Sequence, residues 1–196
     1  MRLNAIKTLN STPPDFWKAG AGQDLLIPFR QLYFALTFYH AVMCGRDRFT
    51  SLGWSRPYEF SPADHRISAL QTLSLVRLCD GDGTAEERID RIPLRLLDYV
   101  VSQLNYGGQI SRYHDNRVSL DLVEVLLNEQ TTTKGESFNL AGFSEGELDP
   151  DGDLERYKMP SPGSLDHYAR HMASLPDQDM PEVFGIHENA QAALMQ

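Results

Sequence analysis

An unbroken apolar run in the first quarter of the chain limits most strongly what it can fold into. Residues 32–44 read LYFALTFYHAVMC, so a helix built from them is apolar on nearly every side. Such a helix has to be buried. The run is too short to cross a bilayer, which takes about 20 residues, and Pro28 and Arg30 precede it. We therefore predict a core helix over residues 29–45, with other helices packed around it.

Helical patterns dominate the rest of the chain. Ser61, Pro62 and Asp64 have the order of a capped helix start, with proline at the first helical position. Apolar stripes at helical spacing predict further buried faces. The stripes are Ile67, Leu70, Leu73 and Val76; Leu97, Val100, Val101 and Leu104 after Pro93; Val118, Leu122, Val125 and Leu126 within residues 111–129; and Leu165, Tyr168 and Met172, between Ser164 and Pro176. The predicted fold class is mainly α.

Glycine and acidic residues mark the breaks between these helices. The acidic stretch at residues 80–87, DGDGTAEE, predicts an exposed loop. Gly107 and Gly108 follow a helix, so we expect one of them to close it in the left-handed region. In the C-terminal third, FNLAGF at 138–143 and ERYKMP at 155–160 could pair as a short β-hairpin.

Composition limits the function classes. The 196 residues carry a formal charge of −9, which argues against a nucleic-acid surface and against docking on anionic membrane. Cys44 and Cys79 form no CxxC motif and no disulfide framework. No apolar signal segment opens the chain. These features favour an intracellular protein with neither nucleic acid nor membrane as a partner.

One short motif suggests a hydrolase. GFSEG at residues 142–146 fits G-x-S-x-G, with Ser144 as nucleophile and Asp149 and His167 in suitable chain order. However, the acidic run after Ser144 is not expected to start a packed helix, and the sequence predicts no parallel sheet around it. A polar loop is the favoured interpretation.

Two other motifs suggest metal sites. ELDPDGDLERYK at residues 147–158 approaches a calcium loop, but its twelfth position needs a glutamate and holds Lys158. His167 and His171 lie one helical turn apart, without a third ligand. In the calcium-like loop, Glu147, Asp149, Asp151, Gly152 and Leu154 match. We favour a solvated loop and a polar helix face, and expect no metal site.

Two further observations limit the chemistry. His40 lies within the apolar helix and is expected to be a hydrogen-bonded core histidine. No phosphate-binding G-x-x-x-x-G-K-[ST] motif occurs in the chain. We therefore assign no catalytic, cofactor-binding or metal residues.

An aromatic loop then calls for explanation. GWSRPYEF at residues 53–60 has the glycine and proline of a loop, yet carries Trp54, Tyr58 and Phe60. Loops usually lie on the surface. These side chains either fold back into the core of the chain or contact a partner.

The sequence around this loop resembles dynein heavy chains. The resemblance rests on residues 34–60, FALTFYHAVMCGRDRFTSLGWSRPYEF, and on SPADHRIS at 61–68. It continues in order through IPLRLLDYVVSQLNYGGQISRYHDNR at 92–117, YKMP at 157–160, SLP at 174–176 and PEVFGIHENA at 181–190, with RLNAI at 2–6 fitting the start of the region. In that family the stretch is the helical lid of the sixth AAA+ module.

The resemblance implies a fold and a division of the chain. We expect an AAA+ lid-type helical bundle over residues 1–178, and the start of the C-terminal domain or a tail over residues 179–196. It also implies that the aromatic loop belongs to the core. Some positions depart from the family pattern: Gln109 replaces a basic residue, and RYHDNR keeps Asp115 and Arg117 but has His114 before Asp115.

The resemblance further implies a function. The lid would be a non-catalytic, structural part of an ATP-driven, minus-end-directed microtubule motor. It would bind no cofactor itself, while ATP and Mg²⁺ would act in the parent motor. Implied partners are the neighbouring AAA+ modules and C-terminal domain of the same heavy chain, dynein intermediate and light chains, and microtubules. The implied location is the cytoplasm and cytoskeleton, and the axoneme of a cilium or flagellum if the parent is axonemal.

The residues leave an alternative open, a stand-alone helical adaptor that binds another protein. A reading frame that continues upstream of Met1 into further AAA+ modules would reject it. The roles of the acidic loops at 80–87 and 145–155 stay open, as do the choice between axonemal and cytoplasmic dynein and the oligomeric state.

Overall fold

The computed structural model describes residues 1–13, 23–133, 139–140, 157–177 and 180–186. Over these ranges the chain is mainly helical, which confirms the predicted fold class. The α-helices are α1 (Arg2–Asn10), α2 (Gln23–Gly45), α3 (Pro62–Leu78), α4 (Ala85–Asp90), α5 (Leu94–Tyr99), α6 (Tyr113–Leu126), α7 (Glu129–Thr133) and α8 (Leu165–Ser174). Arg46–Leu52 and Pro181–Phe184 form 3₁₀ helices, and Val100–Tyr106 is π-helical.

Helix α2 is the centre of the fold, as its apolar composition predicts. It begins at Gln23 rather than at residue 29 and includes Pro28. From Phe29 to Met43 every side chain is buried except that of Arg30, which is half-buried. Helices α1, α3, α4, α6 and α7 and the 3₁₀ helix Pro181–Phe184 all contact it. No helix in the described part of the chain has the length and apolar character needed to cross a membrane.

Helix α3 starts as predicted but buries a different face. The Asp64 carboxylate accepts hydrogen bonds from the Ser61 backbone N–H at 2.7 Å and from its hydroxyl at 2.9 Å, which completes the capping box. Leu73 is buried, whereas Ile67 and Leu70 are 48% and 45% exposed. A strict spacing of three drifts around a helix of 3.6 residues per turn, so one stripe cannot stay inside. The buried face is His65, Ser68, Ala69, Thr72, Leu73 and Val76.

Residues 80–87 are not entirely loop. Thr84 caps α4, and its hydroxyl accepts a hydrogen bond from the Glu87 N–H at 3.2 Å. The Glu87 carboxylate accepts in turn from the Thr84 N–H at 2.8 Å. The prediction missed this capping box, T-x-x-E, because the acidic composition suggested a solvated loop.

The prediction of a left-handed glycine after the next helix is wrong. Helix α5 continues into the π-helical turn, and Gly107 follows it with φ −63° in the right-handed region. Among the described residues, positive φ at glycine occurs at Gly83 and Gly185. The π-helical turn also changes the register, so Leu104 is exposed while Ser102 and Tyr106 are buried. A close approach still restricts Gly107, since a Cβ there would lie 2.5 Å from the Ser102 carbonyl oxygen.

The C-terminal third is held to the core by α8 and one β-bridge. Ser164 caps α8 as predicted, and Tyr168 and Met172 are buried. The suggested hairpin is represented by a single antiparallel bridge between Asn139 and Lys158, with a 2.9 Å hydrogen bond from Leu140 N–H to the Tyr157 carbonyl. No strand is assigned among the residues that the structure describes.

Candidate functional site: the aromatic loop and its anchors

The aromatic loop, residues 53–60, folds back onto its own domain. Trp54 is 2% exposed, and its indole N–H donates a 3.2 Å hydrogen bond to the Met43 carbonyl on α2. The rings of Tyr58 and Phe60 each lie 5.7 Å from the Trp54 ring, at steep angles. Phe60 also contacts Tyr106, at 5.5 Å between ring centroids. The interpretation that these aromatics belong to the core is confirmed for Trp54, while Tyr58 and Phe60 are half-buried and pack against the core.

Asp115 on α6 binds the loop through its carboxylate. Its carboxylate accepts hydrogen bonds from the Ser55 backbone N–H at 3.2 Å, from the Ser55 hydroxyl, and from the Tyr58 hydroxyl at 2.8 Å. Burial would raise the pKa of Asp115, but the hydrogen bonds from Ser55 and Tyr58 together lower it below its ordinary value. The carboxylate is therefore ionised at neutral pH and holds the loop against α6.

Arg46 fastens the loop from inside. It directly follows α2 and is buried, and its Nε and Nη2 donate to the Gly53 carbonyl at 3.0 and 2.8 Å. Its Nη1 donates to the Phe184 carbonyl, and the guanidinium lies 4.7 Å from the centre of the Trp54 ring. Burial lowers the pKa of Arg46 to about 10, so it stays charged. One side chain thus joins α2, the aromatic loop and the C-terminal 3₁₀ helix.

The backbone that leads into the loop is strained. Thr50 has φ 52° and ψ −132°, which is unusual for a β-branched residue. Its carbonyl accepts hydrogen bonds from the Gly53 and Trp54 N–H groups, both at 3.1 Å. Gly53 lies so close to Arg46 that a Cβ would be 1.7 Å from the Arg46 carbonyl oxygen. The turn therefore requires glycine at position 53, because any side chain there would collide with the Arg46 backbone.

Two buried histidines lie behind the loop. His40 Nδ1 is 2.8 Å from the Tyr106 hydroxyl, which confirms the prediction of a hydrogen-bonded core histidine. The His65 ring lies 5.4 Å from the His40 ring, and its Nε2 is 3.2 Å from the Thr37 hydroxyl. Burial lowers the pKa of His40 to about 4 and that of His65 to about 3. Both are neutral at physiological pH.

The motifs weighed for catalysis and metal binding lie only partly within the described residues. Ser144, Asp149 and most of the calcium-like loop lie outside the described residues. His167 Nε2 is 3.3 Å from the Ser161 hydroxyl, and burial lowers the pKa of His171. Over the described ranges, no group of three or more histidine, cysteine or acidic side chains is placed to hold a metal ion.

The positions that depart from the family pattern differ in their contacts. Gln109 Nε2 donates to the Asp64 carboxylate at 2.9 Å, joining the end of the π-helical segment to the start of α3. His114 is exposed beside Asp115. Arg117 pairs with Asp121 at 3.0 Å on the surface of α6. Of the retained pair, only Asp115 therefore reaches the aromatic loop.

Sequence reasoning missed Arg46 and the structural role of Gly53. A signal was available, because Arg46 follows directly on the apolar run, where a charge has to find a buried partner. Sequence reasoning also did not predict that Asp115 binds the aromatic loop. Asp115 lies 60 positions after Ser55, and only the packing of the helices brings the two together.

Comparisons with known proteins point in one direction. The model of the dynein heavy chain AAA lid domain matches residues 29–190. The chain is 27% identical over 196 residues to human dynein axonemal heavy chain 1, covering 100% of this chain and 4% of that protein. It is 30% identical over 192 residues to mouse dynein axonemal heavy chain 12, covering 96% and 5%. It is 32% identical over 162 residues to mouse dynein axonemal heavy chain 3, covering 83% and 3%. The chain therefore spans only a small part of the length of these relatives.

Proposed function

Because the chain belongs to the dynein heavy chain AAA lid domain family, we propose that it serves as a non-catalytic, structural lid in a dynein motor ring. The observation that carries the proposal is the use of the aromatic loop. Trp54 is buried in the core, and Asp115 and Arg46 each form hydrogen bonds with the loop. Such an arrangement supports a stiff element that transmits position rather than a reaction centre.

The wider activity is proposed for the parent protein. There the lid would pack against the large domain of the first AAA+ module and would help to pass nucleotide state around the ring. ATP and Mg²⁺ would act in the parent, while the lid binds neither. Its partners would be the neighbouring AAA+ modules and C-terminal domain of the same heavy chain, dynein intermediate and light chains, and microtubules.

The names of the relatives favour one location. Dynein axonemal heavy chains 1, 12 and 3 are all named for the axoneme, so we place the parent protein in the cytoskeleton of a cilium or flagellum. The stand-alone adaptor receives no support from these relatives, each of which is a heavy chain much longer than the match.

We keep the division at residue 178 as a proposal. Phe184 nevertheless packs against Phe49, at 5.0 Å between ring centroids, so the 3₁₀ helix Pro181–Phe184 shares the core of the lid.

Two measurements test the proposal. Titration calorimetry of the chain with MgATP is expected to give no micromolar binding, because the sequence holds no phosphate loop. In the parent heavy chain, Asp115→Asn is expected to lower microtubule-stimulated ATP turnover while ATP binding is unchanged. The exposed Asp121→Asn on the same helix is the control. Micromolar MgATP binding by the chain, or full stimulated turnover in the Asp115 variant, would contradict the proposal.

A further inference from the structure

A cleft on the side of the domain lies between α5, the end of α6 and the start of α7. It encloses about 530 Å³, and its lining includes Leu94, Arg95, Asp98, Glu124, Leu127 and Glu129. Its volume is within the range of about 300–1,000 Å³ that is usual for ligand sites. The buried Leu127 and half-buried Leu94 give it apolar walls. The cleft is separate from the aromatic loop and its anchors.

Asp98 is the unusual member of this lining. It is only 8% exposed, and its Oδ1 has no hydrogen-bond partner among the described residues. Burying a polar atom without a partner is costly, and most buried carboxylates are paired. Arg95 lies near enough to influence Asp98, but the structure gives no ion pair between them. Asp98 therefore lines the cleft as an acceptor that its own domain does not satisfy.

The charges in the cleft show what that donor should be. Among its described lining residues, three carboxylates, those of Asp98, Glu124 and Glu129, accompany one guanidinium, that of Arg95. Burial first, and then the charge of Glu124, raise the pKa of Asp98 to about 7. A cation in the cleft would therefore stabilise the ionised form of Asp98.

We propose that this cleft receives an arginine side chain from another protein surface, with Asp98 and Glu124 as its carboxylate partners. A guanidinium presents several donors in one plane and is weakly hydrated, so it suits an acidic cleft with apolar walls. A metal ion fits less well, because no set of three ligands of the histidine, cysteine or acidic type is gathered among the described residues. The inference uses only the contacts of the cleft and does not depend on a place in a motor ring.

The test is a titration of the ¹⁵N-labelled 196-residue chain with N-acetyl-arginine amide, followed by amide chemical shifts. We expect saturable shifts confined to residues 94–98 and 124–130. N-acetyl-citrulline amide has a neutral group of the same shape and should bind about tenfold more weakly or not at all. Asp98→Asn should weaken arginine binding about tenfold while its melting temperature does not fall. Asp121→Asn, which alters an exposed carboxylate of α6 outside the cleft, should bind like the parent.

Several results would overturn the proposal. Equal binding of the citrulline probe would remove the role of charge, and undiminished binding by Asp98→Asn would remove the role of the carboxylate. The same shifts with MgCl₂ at lower concentration would make this a metal site instead. A large fall in melting temperature for both Asp98→Asn and Arg95→Gln would show that these two residues pair with each other in solution.

Discussion

Asp115 and Asp98 are both buried, at 3% and 8% exposure, but their surroundings differ in what they donate. Asp115 receives hydrogen bonds from Ser55 and Tyr58, and its pKa is lowered. The Oδ1 of Asp98 receives none within the described ranges, and burial raises its pKa to about 7. Burial alone therefore does not determine the role of a carboxylate. The hydrogen-bond donors around a buried carboxylate decide whether it stabilises the fold, as Asp115 does, or stays an unsatisfied acceptor, as Asp98 does.

Removal of Trp54 should have the largest effect on the aromatic loop, which Asp115 binds. Trp54→Ala deletes the ring that Tyr58, Phe60 and Arg46 all contact. We expect a loss of about 3–5 kcal/mol in the free energy of unfolding, enough to threaten a marginal domain. Thermal melts of both proteins measure it. A variant that melts like the parent would mean that the loop awaits a partner.

Neutralising each aspartate in turn tests the comparison directly. Asp115→Asn places amide hydrogens against the donors of Ser55 and Tyr58, so we expect a loss of about 2–4 kcal/mol. Asp98→Asn removes a buried, unsatisfied charge and should change stability by less than about 1 kcal/mol, or increase it. Urea unfolding midpoints at pH 7.5 decide the matter. Equal losses in both variants would reject the distinction.

The pH dependence sharpens the comparison further. The folded pKa of Asp98, about 7, lies above its ordinary value of 3.8. This group therefore lowers the free energy of unfolding as the pH rises from 3.8 to about 7. The folded pKa values of His40 and His65, about 4 and 3, lie below 6.5, so the histidines lower stability as pH falls below 6.5.

The two effects oppose each other between about pH 4 and 6.5 in the parent. Asp98→Asn removes one of them, so its stability should fall by about 2–3 kcal/mol more than that of the parent on acidification from pH 7 to 4. Urea unfolding at four pH values measures both slopes. Parallel profiles for parent and variant would place the titration of Asp98 near its ordinary range.

The sequence predicted well wherever a local pattern decides the structure. The apolar run became α2, Ser61 and Ser164 capped their helices, and Trp54 joined the core. It predicted poorly where packing between distant segments decides. Asp115 contacts Ser55 only because α6 packs beside the loop. The π-helical turn shifts the register and exposes Leu104, and a pattern of apolar residues at α-helical spacing does not predict such a turn.

The last prediction concerns the glycine pair that follows the helical segment carrying Asp98. A Cβ on Gly107 would lie 2.5 Å from the Ser102 carbonyl oxygen, whereas one on Gly108 would lie 3.1 Å from that of Leu104. Since neither φ is positive, only this crowding distinguishes the two glycines. We expect Gly107→Val to cost about 1–3 kcal/mol, as overpacking does, and Gly108→Val to cost less. Asp82→Val in the exposed turn before α4 is the control and should stay within about 0.5 kcal/mol of the parent. Urea midpoints rank the three variants. If both valine variants match the control, the glycine pair is a flexible linker; if Gly108→Val costs more than Gly107→Val, the close approach does not restrict this turn.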